Sequence, residues 1–191
     1  MATYAPSVLR KLDIRTLRLL RTRGHSPAIE RAMHALGWLG EWGAVWAAIG
    51  LSATALDPAR RRRWLRAAAV GPATVGVNYA VKAVVRRPRP HLRRLPPLAR
   101  APTTLSFPSA HATSSLAAAT AFGRIEPRTR PPLYGLAAAL CVTRPYLGMH
   151  YPSDVLAGAA LGLTIGLLTP GLSGPAAEER LIDLVATSSP R

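Results

Sequence analysis

Residues 67–90, AAAVGPATVGVNYAVKAVVRRPRP, decide how the rest of the chain is read. Ala67 to Val85 is apolar apart from Lys82 and is long enough to cross a hydrocarbon layer about 30 Å thick as a helix. Lys82 stands near the C-terminal end, where such a segment leaves the membrane, and Arg86, Arg87 and Arg89 follow at once. Cations are expensive inside lipid and are kept where they work. Pro72 is expected to kink the segment, and Gly71 and Gly76 to let a neighbouring helix come close.

Upstream, Ala35 to Leu56 is expected to span as well, with Glu41 as its one charge. Trp38, Trp42 and Trp46 recur at helical spacing, as an interfacial or a packing stripe. Glu41 reads either as a functional group facing the bundle or as the partner of a nearby arginine, and both readings stand. Val8 to Arg23 reads as an amphipathic helix, with Leu9, Leu12, Leu19 and Leu20 on one side and Arg10, Lys11, Arg15, Arg18 and Arg21 on the other. Such a helix can lie among anionic headgroups.

Downstream, prolines 88, 90, 96 and 97 make Arg86 to Ser106 an extended loop of a length that often carries function. Pro108 to Phe122 and Pro131 to Val142 are short apolar stretches that become spans if they extend into the polar residues beside them. Val155 to Leu168 carries Gly158, Gly162 and Gly166 at four-residue spacing, either a close-packing face or part of a lipid-facing helix. Gly174 to Arg191 is a polar tail with a short helix expected at Ala176 to Val185.

The fold class that follows is all-α: a polytopic membrane helical bundle of about five spans behind an N-terminal interfacial helix. The expected divisions are a basic amphipathic segment at 1–30, a membrane domain at 31–173 and the tail at 174–191. The 191 residues have a formal net charge of +16, are 49% hydrophobic and have a mean hydropathy of +0.13. Such charge on a soluble domain would indicate nucleic acid, but here it alternates with long apolar stretches and points to lipid. Nearly all of it is arginine, which favours fork-like contact with phosphate. The single Cys141 excludes an intrachain disulfide and a cysteine-rich metal site. No stretch near Met1 reads as a cleavable signal peptide, so internal segments are expected to direct insertion.

Three polar groupings sit at the ends of these segments: Lys82 with Arg89-Pro90, Pro108-Ser109-Ala110-His111, and Arg144 with His150 and Asp154. With five spans, all three emerge on one membrane face. The balance of flanking arginines leans toward a cytoplasmic location for that face, in the plasma membrane.

The residue types suit phosphate transfer. Arg89 and Arg144 offer paired donors, Lys82 an ammonium and Ser109 a hydroxyl, and the start of a helix at Ser109 adds free N–H groups. His150 can attack phosphorus through a neutral nitrogen to form a phosphohistidine, with Asp154 holding the other nitrogen. His111 can protonate the leaving alkoxide and later activate water. Taken singly, each of the two histidines would more often be an interfacial residue bonded to backbone. Zinc on His111, His150 and Asp154 is disfavoured by Lys82, Arg89 and Arg144 around them, so no metal and no cofactor is expected. Arg86, Arg87, Arg93 and Arg94 read as headgroup contacts or as positive-inside topology charges, and His25, His34 and His91 stay unassigned.

Lys82-x6-Arg89-Pro90, Pro108-Ser109-Ala110-His111 and Thr143-Arg144-x5-His150-x3-Asp154 resemble the three signature motifs of the type 2 phosphatidic acid phosphatase (PAP2) family, which shares its site with vanadium haloperoxidases. The resemblance implies a metal-independent membrane lipid phosphatase with His150 as nucleophile, Asp154 as its partner, His111 as acid, and Lys82, Arg89, Ser109 and Arg144 as phosphate ligands. Ala110 stands where the family has glycine, Thr143 where it usually has serine, and the chain counts one span fewer than the usual six. Candidate substrates are phosphatidate, phosphatidylglycerol phosphate, polyprenyl phosphates or diphosphates, and polyprenyl-phosphoryl sugar phosphates. A cytoplasmic site favours the last. The alternative is a non-catalytic lipid-phosphate binder or transporter that keeps the arginine cradle without needing His150 or Asp154.

Overall fold

A computed structural model describes residues 8–172. The expected tail helix at 176–185 lies outside the described residues. Seven α-helices follow in order: α1 (Val8–Thr22), α2 (Pro27–Leu39), α3 (Ala44–Leu56), α4 (Arg61–Val85), α5 (Ala110–Ile125), α6 (Arg130–Tyr146) and α7 (Pro152–Leu168). The described residues contain no strand, only isolated bridges that pin the long loop at Pro88–Leu105 and Leu92–Leu95.

Helix α5 is the axis of the bundle. Alanine, serine and threonine dominate its sequence, and their small side chains let neighbours approach from every side, so nearly the whole helix is buried. Helix α7 presses its glycine stripe onto α5: a Cβ on Gly158 would lie 2.6 Å from the Ser109 carbonyl oxygen, and one on Gly162 would lie 2.3 Å from that of Thr113. Of the two readings of that stripe, close packing is the one realised. The aromatic part of the core is Trp46, Trp64 and Phe122, with the Trp46 indole N–H donating to Ser115 Oγ at 3.0 Å.

The outside is apolar in the manner of a protein that meets lipid. Leu56, Val84, Leu156 and Leu168 are 84, 82, 71 and 67% exposed, while α4 turns Thr74, Asn78 and Lys82 inward. Residues Pro58–Val85 form a helix long and apolar enough to cross a membrane. Helices α5 to α7 are each 16 or 17 residues, and their polar ends meet at the site.

Two expectations are revised. Ala35–Leu56 is not one helix: it breaks into α2 and α3 at a 3-10 turn, Glu41–Gly43, where Trp42 (φ 55°) and Gly43 (φ 74°) take left-handed conformations. Gly40 packs so closely on the His111 ring that a Cβ there would come within 2.8 Å of it. The break places Glu41 in the wall of the site cavity. Helix α1 does show its leucines outward, with Leu9, Leu12 and Leu19 exposed, but its opposite face is not all turned to headgroups. Asp13, Leu17 and Arg21, four apart, are buried against the protein. Arg21 donates to the carbonyls of Pro96 (2.6 Å) and Tyr146 (3.4 Å).

Candidate active site

The residues singled out for the site come to one end of the bundle: Lys82, Arg89, His111, Arg144 and His150 line a cavity of about 50 Å³, while Ser109 and Asp154 are fully buried and are not part of its lining. Lys82 arrives from the last turn of α4, Ser109 and His111 from the start of α5, Arg144 from the last turn of α6 and Asp154 from the first turn of α7. Arg89 and His150 come from the intervening loops. The α5–α7 contact sets the spacing, and the Ser109 backbone N–H donates to the Asp154 carbonyl at 3.0 Å. Ala110 is helical and its φ is not positive, so this backbone has no need of glycine there. Thr143 is fully buried and its hydroxyl donates to the Leu140 carbonyl at 2.7 Å.

The cations are anchored by carbonyl groups. Lys82 Nζ donates to the carbonyls of Pro108 (2.8 Å) and Ser106 (3.2 Å), which ties α4 to the segment that opens α5. Arg89 donates through Nε to Thr103 O and through Nη1 to Met149 O, both at 2.7 Å. Arg144 is buried, with Nη2 against Met149 Sδ at 2.9 Å. Ser109 Oγ and Arg144 Nε are buried without a protein hydrogen-bond partner. Buried donors of that kind call for an acceptor.

Hydrogen-bond partners assign the protons on the two histidines. His150 Nε2 lies 3.0 Å from Arg89 Nη1. A guanidinium can only donate, so Nε2 is the lone-pair nitrogen and Nδ1 carries the hydrogen. Nδ1 faces Asp154 Oδ2 at 3.7 Å, beyond hydrogen-bond length, and has no other partner. His111 is the opposite case. Its Nε2 lies 2.9 Å from the Gly37 carbonyl, which can only accept, so Nε2 carries the hydrogen. Arg144 Nη1, 3.2 Å from the same nitrogen, is then a neighbour and not a donor to it. One imidazole therefore presents a lone pair at Nε2 and the other a proton.

Burial pushes His150 down to about 4, with Arg89 and Arg144 adding to the effect and Asp154 opposing it, so the ring is neutral at physiological pH. Arg89 is also lowered, chiefly by burial, and stays charged.

Three residues at the site escaped the sequence reading in whole or part. Glu41 Oε2 lies 3.6 Å from His111 Nε2, so of its two readings the functional-site one is closer to what is seen. Arg87, read as a headgroup contact, instead donates through Nη1 to Asp154 Oδ1 at 2.7 Å. Its other partner, Asp13, gave no signal beyond being the lone acid in a basic helix. A second, wider cavity of about 420 Å³ adjoins the first across Glu41 and Arg144, and His34, Trp38 and Arg100 contribute to its wall.

Comparison with known proteins identifies the family of the chain. The family model described as PAP2 superfamily matches residues 63–175. The chain belongs to the PAP2 superfamily. Decaprenylphosphoryl-5-phosphoribose phosphatase of Mycobacterium tuberculosis is 39% identical over 141 residues, 74% of each chain. Lipid A 1-phosphatase of Rhizobium johnstonii is 47% identical over 64 residues, 34% of this chain and 26% of that one. Among solved structures, Aquifex aeolicus LpxE superimposes with a TM-score of 0.69 at 21% identity, covering 87% of this chain and 96% of that one. The first transmembrane PAP2 type phosphatidylglycerolphosphate phosphatase from Bacillus subtilis gives 0.70 at 21% identity, covering 91 and 88%. This PAP2 protein is accordingly a membrane phosphatase of lipid-linked phosphate, and the alternative of a binder without catalysis gives way.

Proposed function

We propose that this PAP2 enzyme cleaves its lipid-linked phosphate by two in-line displacements through His150. His150 Nε2 attacks phosphorus, an N–P bond forms, the ester P–O bond breaks, and His111, protonated on both ring nitrogens beside the bound dianionic phosphate, gives its Nε2 proton to the departing alkoxide and becomes neutral. Water then attacks phosphorus, the neutral His111 takes a proton from it, the N–P bond breaks to return His150 as the neutral imidazole, and inorganic phosphate leaves. Arg89, Arg144, Lys82 and Ser109 neutralise and orient the phosphoryl oxygens, which supplies most of the acceleration in such a transfer. Asp154 stabilises the positive charge that develops on His150. To act as acid, His111 exchanges its Gly37 contact for the substrate oxygen. The observation that carries this reading is the opposite proton placement on two histidines beside one cavity.

For the substrate, the polyprenyl-phosphoryl sugar phosphates fit best. The mycobacterial relative is named for such a compound. Beside the reacting centre, Glu41 can accept from sugar hydroxyls, Trp38 can cover a sugar face, and Arg100 can face a phosphodiester. The active-site face is proposed to be cytoplasmic, on a multi-pass chain with anionic lipid under the outward leucines and arginines of α1. No metal takes part.

Phosphate release from a panel of purified lipid phosphates in EDTA tests the assignment. A sugar 5-phosphate linked to a polyprenyl phosphate is expected to turn over fastest, and His150→Ala to release none from any substrate. EDTA-sensitive turnover, or an active His150→Ala protein, would refute the mechanism. Preference for phosphatidate would refute the substrate.

A further inference from the structure

The residues that hold Asp154 reach back to the N-terminal helix, outside the 63–175 span that the family model matches. Asp154 is completely buried. Its Oδ1 accepts from Arg87 Nη1 at 2.7 Å, and its Oδ2 accepts from the Tyr151 backbone N–H at 2.9 Å. Arg87 lies over the Tyr151 ring at 4.1 Å and sends Nη2 to Asp13 Oδ2 at 2.7 Å. Asp13 is itself only 3% exposed. It takes two further bonds from the first turn of α7, from the Ser153 backbone N–H at 2.9 Å and from the Ser153 hydroxyl at 2.5 Å. A carboxylate on free N–H groups at a helix N-terminus is well placed against the helix dipole.

We infer that Asp13 and Arg87 are positioning residues for the reaction, and that α1 is thereby part of the catalytic apparatus. Two physical effects combine. The Arg87 fork fixes one oxygen of Asp154, so the other is left to face His150 Nδ1. Arg87 by itself would also cancel the charge that Asp154 must offer to a phosphorylated, cationic imidazole. Asp13 offsets Arg87, so the buried set of Asp13, Arg87 and Asp154 has a formal charge of −1 facing the nucleophile. Burial strengthens the effect, because the dielectric screening that weakens exposed pairs is missing. A helix that only rested on headgroups would have no use for an acid at position 13. The other side chains on its buried face are Leu17 and Arg21.

This inference rests on His150 being the nucleophile, and a double-mutant cycle separates the two claims. Asp13→Asn keeps the shape and removes the charge. It is expected to lower kcat roughly 10- to 100-fold, as loss of outer-shell partners does, with KM changed by less than about 2-fold. In an Asp154→Asn background, single-turnover release should fall by less than about 2-fold further, because the route through Asp154 is already gone. Asp13→Glu should restore kcat to within about 5-fold of wild type. Wild-type kcat in Asp13→Asn, an equal fold-loss in both backgrounds, or a rise in KM at unchanged kcat would overturn the inference while leaving the His150 assignment intact. An active His150→Ala protein would instead remove the reading beneath it. Should Asp13→Asn not purify as a folded protein, Arg87→Lys, which keeps the cation and gives up the fork, runs the same cycle with the same expected and refuting results.

Discussion

Gly158→Ala tests whether the α5–α7 contact sets the catalytic geometry. A Cβ on Gly158 would lie 2.6 Å from the Ser109 carbonyl oxygen and 3.2 Å from the Ser109 nitrogen. Ordinary contact begins near 3.4 Å, so α7 must retreat by about 0.8 Å, and the obstacle is backbone that cannot rotate away. The bond from the Ser109 N–H to the Asp154 carbonyl, now 3.0 Å, would stretch to about 3.8 Å, past useful length. Overpacking costs about 1–3 kcal/mol and the lost bond about 1, against a gain of about 0.5–1 for replacing glycine inside a helix. The net loss is about 1–3 kcal/mol, and a displacement near 1 Å of reacting groups lowers the rate by about 10- to 100-fold. The assays are the thermal midpoint in detergent and kcat/KM on a lipid phosphate. Gly135→Ala in α6, whose added Cβ meets nothing within 4 Å, is the paired control and should keep full activity with equal or higher stability. Wild-type behaviour of Gly158→Ala, or equal damage from Gly135→Ala, would refute the reasoning.

Two further outcomes follow from the electrostatics. His150 is held down to about 4 in the folded protein against an ordinary value of 6.5, so the unfolded chain binds a proton over that window that the folded one does not. Its contribution to stability is therefore full above about pH 6.5 and is lost as pH falls toward about 4; the thermal midpoint of wild type should drop more between pH 7 and 4.5 than that of His150→Asn, and equal drops would contradict the assignment. At the opposite end of α4, Arg60 pairs with Asp57 and Glu126 while its side chain is 36% exposed, so Arg60→Ala should cost no more than about 1 kcal/mol and leave phosphate release unchanged; a fall in kcat would show that the far end of the bundle is coupled to the site.

The sequence by itself determined which residues would meet. Helical spacing, charges at segment ends and an even number of crossings between motifs place Lys82, Arg89, Ser109, His111, Arg144, His150 and Asp154 on one face, because a membrane sorts segment ends onto two sides. The Gly158–Gly162–Gly166 stripe was legible for the same kind of reason: four-residue spacing puts small residues on one side of a helix. The break at Glu41–Gly43 was not, because composition alone reads 35–56 as one apolar run. It depends on Gly40 fitting against His111, a contact 71 positions away. Nor could the chain alone say that Arg87 turns inward to Asp154 while its neighbours stay at the surface, or that Asp13 waits to neutralise it. Arginine is equally at home on a headgroup and on a buried carboxylate, and only the packing of α1 over the start of α7 removes the water and lipid that would otherwise compete for it.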